Sequence, residues 1–152
     1  MPRITLSPVT SVPVRRLAQA RLQVDTPGEG FVDLTAAAAG FLAEVGPGDG
    51  VLTIFCRHTS ASLTVQENAD PDVRTDLLAA LRVLAPRDFG WRHDAEGPDD
   101  MPAHLRTVLT DASLSIPVAS GRLMLGTWQA LYLIEHRAAA HRREVLLSYV
   151  GG

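Results

Sequence analysis

Residues 128–136, Trp-Gln-Ala-Leu-Tyr-Leu-Ile-Glu-His, are the stretch whose reading decides the fold. As a strand it places Trp128, Ala130, Tyr132 and Ile134 on one face and Leu131 and Leu133 on the other. A strand apolar on both faces must be covered on both faces. In a chain of 152 residues that requirement points to a two-layer sandwich, or to one sheet face buried in an oligomer.

The neighbouring segments fit the same picture. Arg143–Val150 reads as a further strand, and Ser113–Val118 and Arg122–Leu125 flank a Ser120-Gly121 turn as a hairpin. Val51–Arg57 reads as a strand buried on both faces, with Ala61–Glu67 as its neighbour. Asp70 as cap, Pro71 at the first helical position and Asp72 in the first turn open a helix. Val73, Leu77, Leu81 and Leu84 fall on one stripe of it, and Ala85-Pro86 closes it. Leu17–Asp25 reads as a strand, and Phe31–Val45 begins extended before a short helix with Thr35 as N-cap. Residues up to Pro13 are a strand interrupted by prolines, or a loose lead-in. No repeat or linker divides the chain, so residues 1–152 form a single domain, α+β with a mostly antiparallel sheet.

Composition narrows the chemistry. The net charge is −3 and all 14 cations are Arg, so there is no basic field for nucleic acid and no lysine for Schiff-base or P-loop chemistry. Cys56 alone excludes an internal disulfide, a CxxC pair and a cysteine-rich metal cluster. No run approaches the roughly 18 apolar residues of a membrane span, and the N-terminus lacks the apolar core of a secretory signal. A cytoplasmic protein is expected.

Residues 88–101, Asp-Phe-Gly-Trp-Arg-His-Asp-Ala-Glu-Gly-Pro-Asp-Asp-Met, carry no periodicity. A loop of that length inside a compact domain is more often functional than idle. It holds His93, and the short helix expected over Pro102–Leu109 holds His104, while His58 ends the strand at Val51–Arg57 and opens a His-Thr-Ser-Ala-Ser run. No local motif such as HExxH joins them. Either the fold assembles the three imidazoles around an ion, or they are hydrogen-bonded at a loop–strand junction. His136 and His141, in an Arg-rich segment, read as a solvated turn. Glu67 and Asn68 leave a strand without a capping duty, and Asp72 and Asp76 share a helix face. Cys56 reads as a small hydrophobe of a core strand rather than a nucleophile. The Gly126-Thr127-Trp128-Gln129 turn could line a pocket and approach a phosphate.

Taken together, residues 55–77, 91–104 and 113–137 resemble the YjbQ-like family, some of whose members are described as secondary thiamine-phosphate synthases. The resemblance runs from about residue 15 to the end. It implies a β-sandwich with a few helices that assembles as a homotrimer, with a polar pocket for a metal or phosphate-like ion. Carried over by motif, His58, His93 and His104 are the implied metal ligands. Glu67, Asn68 and Asp76 are the implied catalytic acids and amide, and residues 126–129 the implied substrate turn. Arg57, Thr59, Ser60 and Arg92 adjoin these segments as candidate phosphate donors.

The activity so implied couples hydroxymethylpyrimidine diphosphate to thiazole phosphate with loss of pyrophosphate. Three imidazoles favour a zinc-type ion, whereas diphosphate chemistry favours Mg²⁺ on carboxylates. Two other readings stand beside it: a metal-assisted hydrolase with Glu67 as base, and a non-enzymatic trimer that binds a small phosphorylated or heterocyclic molecule or a metal.

Overall fold

The computed structural model describes all residues from Met1 to Gly152. Eight strands and three helices follow in the order β1 (Arg16–Thr26), β2 (Gly30–Asp33), α1 (Thr35–Val45), β3 (Gly50–Cys56), β4 (Ala61–Glu67), α2 (Pro71–Leu84), α3 (Asp100–Leu109), β5 (Ser113–Ala119), β6 (Arg122–Leu123), β7 (Gln129–Glu135) and β8 (His141–Gly151). They form a five-stranded sheet, β1-β8-β3-β5-β6, and a three-stranded sheet, β2-β7-β4, in which every pairing is antiparallel. The core lies between the sheets. Leu52, Ile54, Val145 and Leu147 of the larger sheet pack in one cluster with Leu63, Leu131 and Leu133 of the smaller, and Ala38 and Leu42 of α1 join them. Each such fully buried aliphatic side chain contributes about 1.5–3 kcal/mol.

The second face of β7 is covered from within the chain. Tyr132 and Ile134 are buried, α2 packs on β2 and α3 on β4 of the same sheet, and Arg74 of α2 donates to the Tyr132 hydroxyl at 3.0 Å. The helices thus add a third layer to the expected sandwich. β3 is different from the expectation. Leu52, Ile54 and Cys56 are buried, but Val51 and Phe55 on the other face are open to solvent, Phe55 at 44%. β4 is not its neighbour either: it pairs with β7 in the other sheet, from Ala61↔Glu135 to Glu67↔Gln129.

Local chemistry sets the boundaries. Asp70 accepts from the Asp72 N–H at 2.9 Å and Pro71 begins α2. That helix lies on the surface, with Val73, Leu77 and Leu81 half-buried and Leu84 exposed. Thr35 is not a cap but the first residue of α1: its hydroxyl accepts the Leu131 N–H at 2.9 Å and ties the helix to β7. Ser120 and Gly121 have φ of 50° and 75°, as a two-residue type I′ hairpin requires. Residues 1–15 form no strand or helix and are exposed.

Candidate functional site

The sheet ends differ in polarity, and the difference begins with the strand order. β4 and β7 run antiparallel, so Ser60, Ser62, Glu135 and His136 gather at one end. Glu67, Asn68 and Gln129 gather at the other, six residue steps or about 20 Å away.

At the first end Glu135 is fully buried, facing the larger sheet. Its carboxylate accepts from Arg143 Nε and from the Thr26 hydroxyl, each at 2.7 Å, and from the Arg137 N–H at 3.2 Å. Burial pushes the Glu135 carboxyl up, but Arg143, Thr26 and the Arg137 amide outweigh it and hold the group below its ordinary value. Arg143 also donates to the carbonyl and the hydroxyl of Ser60. On the opposite face of β7, His136 Nε2 meets Ser62 Oγ at 2.8 Å, and Thr110 donates to the same hydroxyl at 2.6 Å. His136 is 1% exposed, so the solvated-turn reading fails there; its Nδ1 has no partner. Burial, with the charge of Arg106, lowers its pKa to about 4, so it is neutral at pH 7. His141 remains partly exposed, 3.9 Å from Glu135.

The long loop is pinned to this end by Arg137, also placed by the sequence in a solvated turn. Its guanidinium donates to Asp99 at 3.0 Å, to Asp100 at 2.7 Å and to the Glu96 carbonyl at 2.8 Å. Asp100 is buried at the start of α3. Its Oδ2 lies 2.6 Å from His93 Nε2 and 3.2 Å from His104 Nε2. Burial works to raise the Asp100 carboxyl; hydrogen bonds to His93 and Glu96 and the charges of His104 and Arg137 bring it below its ordinary value. One donor atom from each of His93, Asp100 and His104 falls within 4.8 Å of the others.

The two expected loop histidines therefore converge, but their third partner is Asp100 and not His58. His58 Nε2 accepts the Glu144 N–H at 2.8 Å, which puts its own proton on Nδ1 and leaves no free lone pair for an ion. Burial, then the Arg143 charge, lowers its pKa. His58 instead lines an open cavity of about 640 Å³ with Arg57, Thr59, Ser60 and Arg143. Arg57 is paired with Glu144 at 2.9 Å. The Thr59 carbonyl links the two places, accepting from His104 Nδ1 at 2.8 Å and from Thr107 at 3.2 Å. Arg92 is exposed on the loop, and His93 lines a smaller cleft of about 410 Å³ with Arg87, Trp91 and Asp94. Cys56 is buried beside the Ala61 carbonyl, and burial raises its thiol pKa, which fits a core residue.

The other expected residues stand elsewhere. Glu67, Asn68 and the 126–129 turn share the far end of the sheet, where the Asn68 N–H donates to the Trp128 carbonyl at 3.0 Å. Trp128 precedes β7 and is 63% exposed, off the buried face assigned to it. Thr127 lies within the same turn. The Gly126 N–H is occupied by the Gln129 side chain at 2.8 Å, so this turn offers no free amide to a phosphate at that position. Asp76 lies exposed on α2. One chain by itself does not bring these residues to the histidines. Asp100, by contrast, was detectable: it stands four residues before His104, on the same helix face once α3 is started at Asp100 rather than Pro102.

The chain is similar to proteins of one family throughout. The family model described as UPF0047 protein YjbQ-like matches residues 20–152. A UPF0047 protein of Synechocystis is 44% identical over 144 residues, covering 94% of this chain and 98% of that protein. Among solved structures, a hypothetical protein of Aeropyrum pernix superposes with a TM-score of 0.82 at 31% identity, over 89% of this chain and 99% of that one. A conserved hypothetical protein of Thermus thermophilus gives a TM-score of 0.74 at 41% identity, over 84% and 97%. No helix is long and apolar enough to cross a membrane.

Proposed function

This chain belongs to the YjbQ-like UPF0047 family, and from that premise we propose that it is a metal-dependent enzyme acting on a small phosphorylated heterocycle. The reaction is the one its sequence resemblance implies: coupling of hydroxymethylpyrimidine diphosphate with thiazole phosphate, releasing pyrophosphate. The observation that carries the reading is the convergence of His93, Asp100 and His104.

The tautomer of His104 supports a cation there. The Thr59 carbonyl can only accept, so His104 Nδ1 bears a proton, and a neutral ring then turns the Nε2 lone pair toward the Asp100 oxygen 3.2 Å away. Two electron pairs facing each other are unfavourable unless a proton or a metal lies between them. A carbonyl that orients a ligating imidazole through its other nitrogen is the usual outer-shell arrangement of a metal site. Two imidazoles and one carboxylate match a zinc-type ion better than Mg²⁺. When bound, such an ion would polarise phosphoryl oxygens as a Lewis acid.

The chain's own residues would do the rest. Arg137 fixes Asp100 in place, and the Thr59 carbonyl fixes His104. Exposed Arg87 and Arg92 near His93 supply positive charge for a departing diphosphate. The homotrimer belongs to the same proposal. The outer face of the larger sheet exposes Leu17, Val51, Phe55 and Val150, and a neighbouring copy could cover it. A second copy could also bring Glu67 and Asn68 within reach of the histidine cluster.

Metal content of the purified protein tests the reading. The wild type is expected to hold one equivalent, His93→Ala and His104→Ala to lose it, and His58→Ala to keep it. Equal content in all four proteins removes the site. In the metal-loaded protein, pyrophosphate release that needs both substrates supports the coupling. Turnover of generic phosphoesters without coupling would instead make the protein a hydrolase, and light scattering in solution would decide the trimer.

A further inference from the structure

A second polar cavity, of about 310 Å³, opens between the C-terminal end of α2 and α3, and Glu29, Arg82, Arg87, Asp88 and Arg106 line it. Three guanidinium groups meet two carboxylates there, and only Glu29 is engaged by the arginines. Arg82 Nε donates to Glu29 Oε1 at 2.9 Å, and Arg106 Nη1 lies 3.5 Å from Oε2. Arg106 is 3% exposed, yet it is incompletely satisfied: Nη2 reaches the Ala85 carbonyl at 3.3 Å and Nε has no partner. Burial, together with the like charges of Arg82 and Arg87, works against its charged form, and the net effect is a lowered pKa despite Glu29.

A buried guanidinium that Glu29 compensates only at 3.5 Å, in a cavity wall beside two further arginines, leaves positive charge without a matching anion. The planar forks of arginine match the oxygens of a phosphoryl group, and this chain has no lysine to share that task. We propose that the cavity binds a phosphoryl oxyanion, as a phosphate monoester or a diphosphate, through Arg82, Arg87 and Arg106. Arg87 and Asp88 also line the His93 cleft, so the bound oxyanion would sit directly beside it. The proposal does not rest on the metal, because anion binding is measurable in protein stripped of metal.

Calorimetric titration of pyrophosphate into the EDTA-treated full-length protein tests it. Saturable binding of one pyrophosphate per chain is expected. Arg87→Ala, an exposed change that leaves packing alone, should weaken it about tenfold or more. Arg142→Ala, which removes the same charge from β8, should change it by less than about twofold. Glu29→Gln frees the competing guanidinium groups and should tighten binding by about threefold or more. Absence of saturable binding, equal losses in Arg87→Ala and Arg142→Ala, or unchanged affinity in Glu29→Gln would each overturn the assignment.

Discussion

Where β4 begins and β7 finishes, Ser62, Glu135, His136 and Arg143 are withdrawn from water, with Ser62 bonded to His136 on one face and Arg143 to Glu135 and Ser60 on the other. Where β4 finishes and β7 begins, Asn68 and Trp128 face solvent and the turn satisfies itself through Gln129. Both ends belong to the same pair of strands, β4 and β7, and both carry residues that the sequence marked as functional. The difference is in how each side chain is held. A buried charge persists only if its neighbours are fixed in place around it, so the first end is rigid and preorganised. The second end has no such constraint, and the side chains of Asn68 and Trp128 stand open to solvent.

Removing one partner of the buried pair should break the contrast most severely. Arg143→Ala leaves the Glu135 carboxylate buried without its counterion and should cost about 3–5 kcal/mol, read as a lowered urea midpoint. A loss under about 1 kcal/mol would mean that this end is as solvated as the other.

Acid should separate the ends next. His136 holds its pKa at about 4 against the ordinary 6.5, so the unfolded chain takes up the proton first as pH falls. Its contribution is complete above pH 6.5 and is lost between 6.5 and about 4. That loss should reach about 3 kcal/mol in urea unfolding. His136→Gln cannot titrate and should flatten most of that slope, leaving the smaller part that belongs to His58, whose pKa is also lowered. The depressed carboxyls of Glu135 and Asp100 act in a lower window: their stabilisation is present above the ordinary carboxylate range and disappears as pH falls through their folded values.

Beyond the far end of the sheet, the helix cap should matter more than any charge. Asp70→Ala removes the acceptor for the Asp72 N–H and should cost about 1 kcal/mol in thermal unfolding. Glu67→Gln should be the mildest change. Glu67 is half-buried and its Oε2 has no partner, so replacing the carboxylate by an amide should act in the opposite direction and raise the stability of the isolated chain by less than about 1 kcal/mol. A large destabilisation there, appearing only at concentrations where the protein is oligomeric, would show that a neighbouring copy supplies the missing partner.

Much of the fold was legible along the chain. The unbroken apolar run from Ala130 to Ile134 correctly demanded cover on both faces, because successive strand residues point to opposite sides and here neither side carries a polar residue. Asp70-Pro71 fixed the start of α2 by capping chemistry, which acts over three or four residues. What the sequence could not decide was which element supplies each cover, since pairing β4 with β7 rather than β3 depends on contacts between residues 62 to 74 positions apart. The site followed the same division. The long loop, His93 and His104 stood out from composition and family pattern, but the exchange of His58 for Asp100 is a matter of which lone pairs remain free after the backbone has taken its share. Residue types determined the available donors; the folded chain alone decided which of them point at one another, because directionality belongs to hydrogen bonds in three dimensions and not to spacing along a chain.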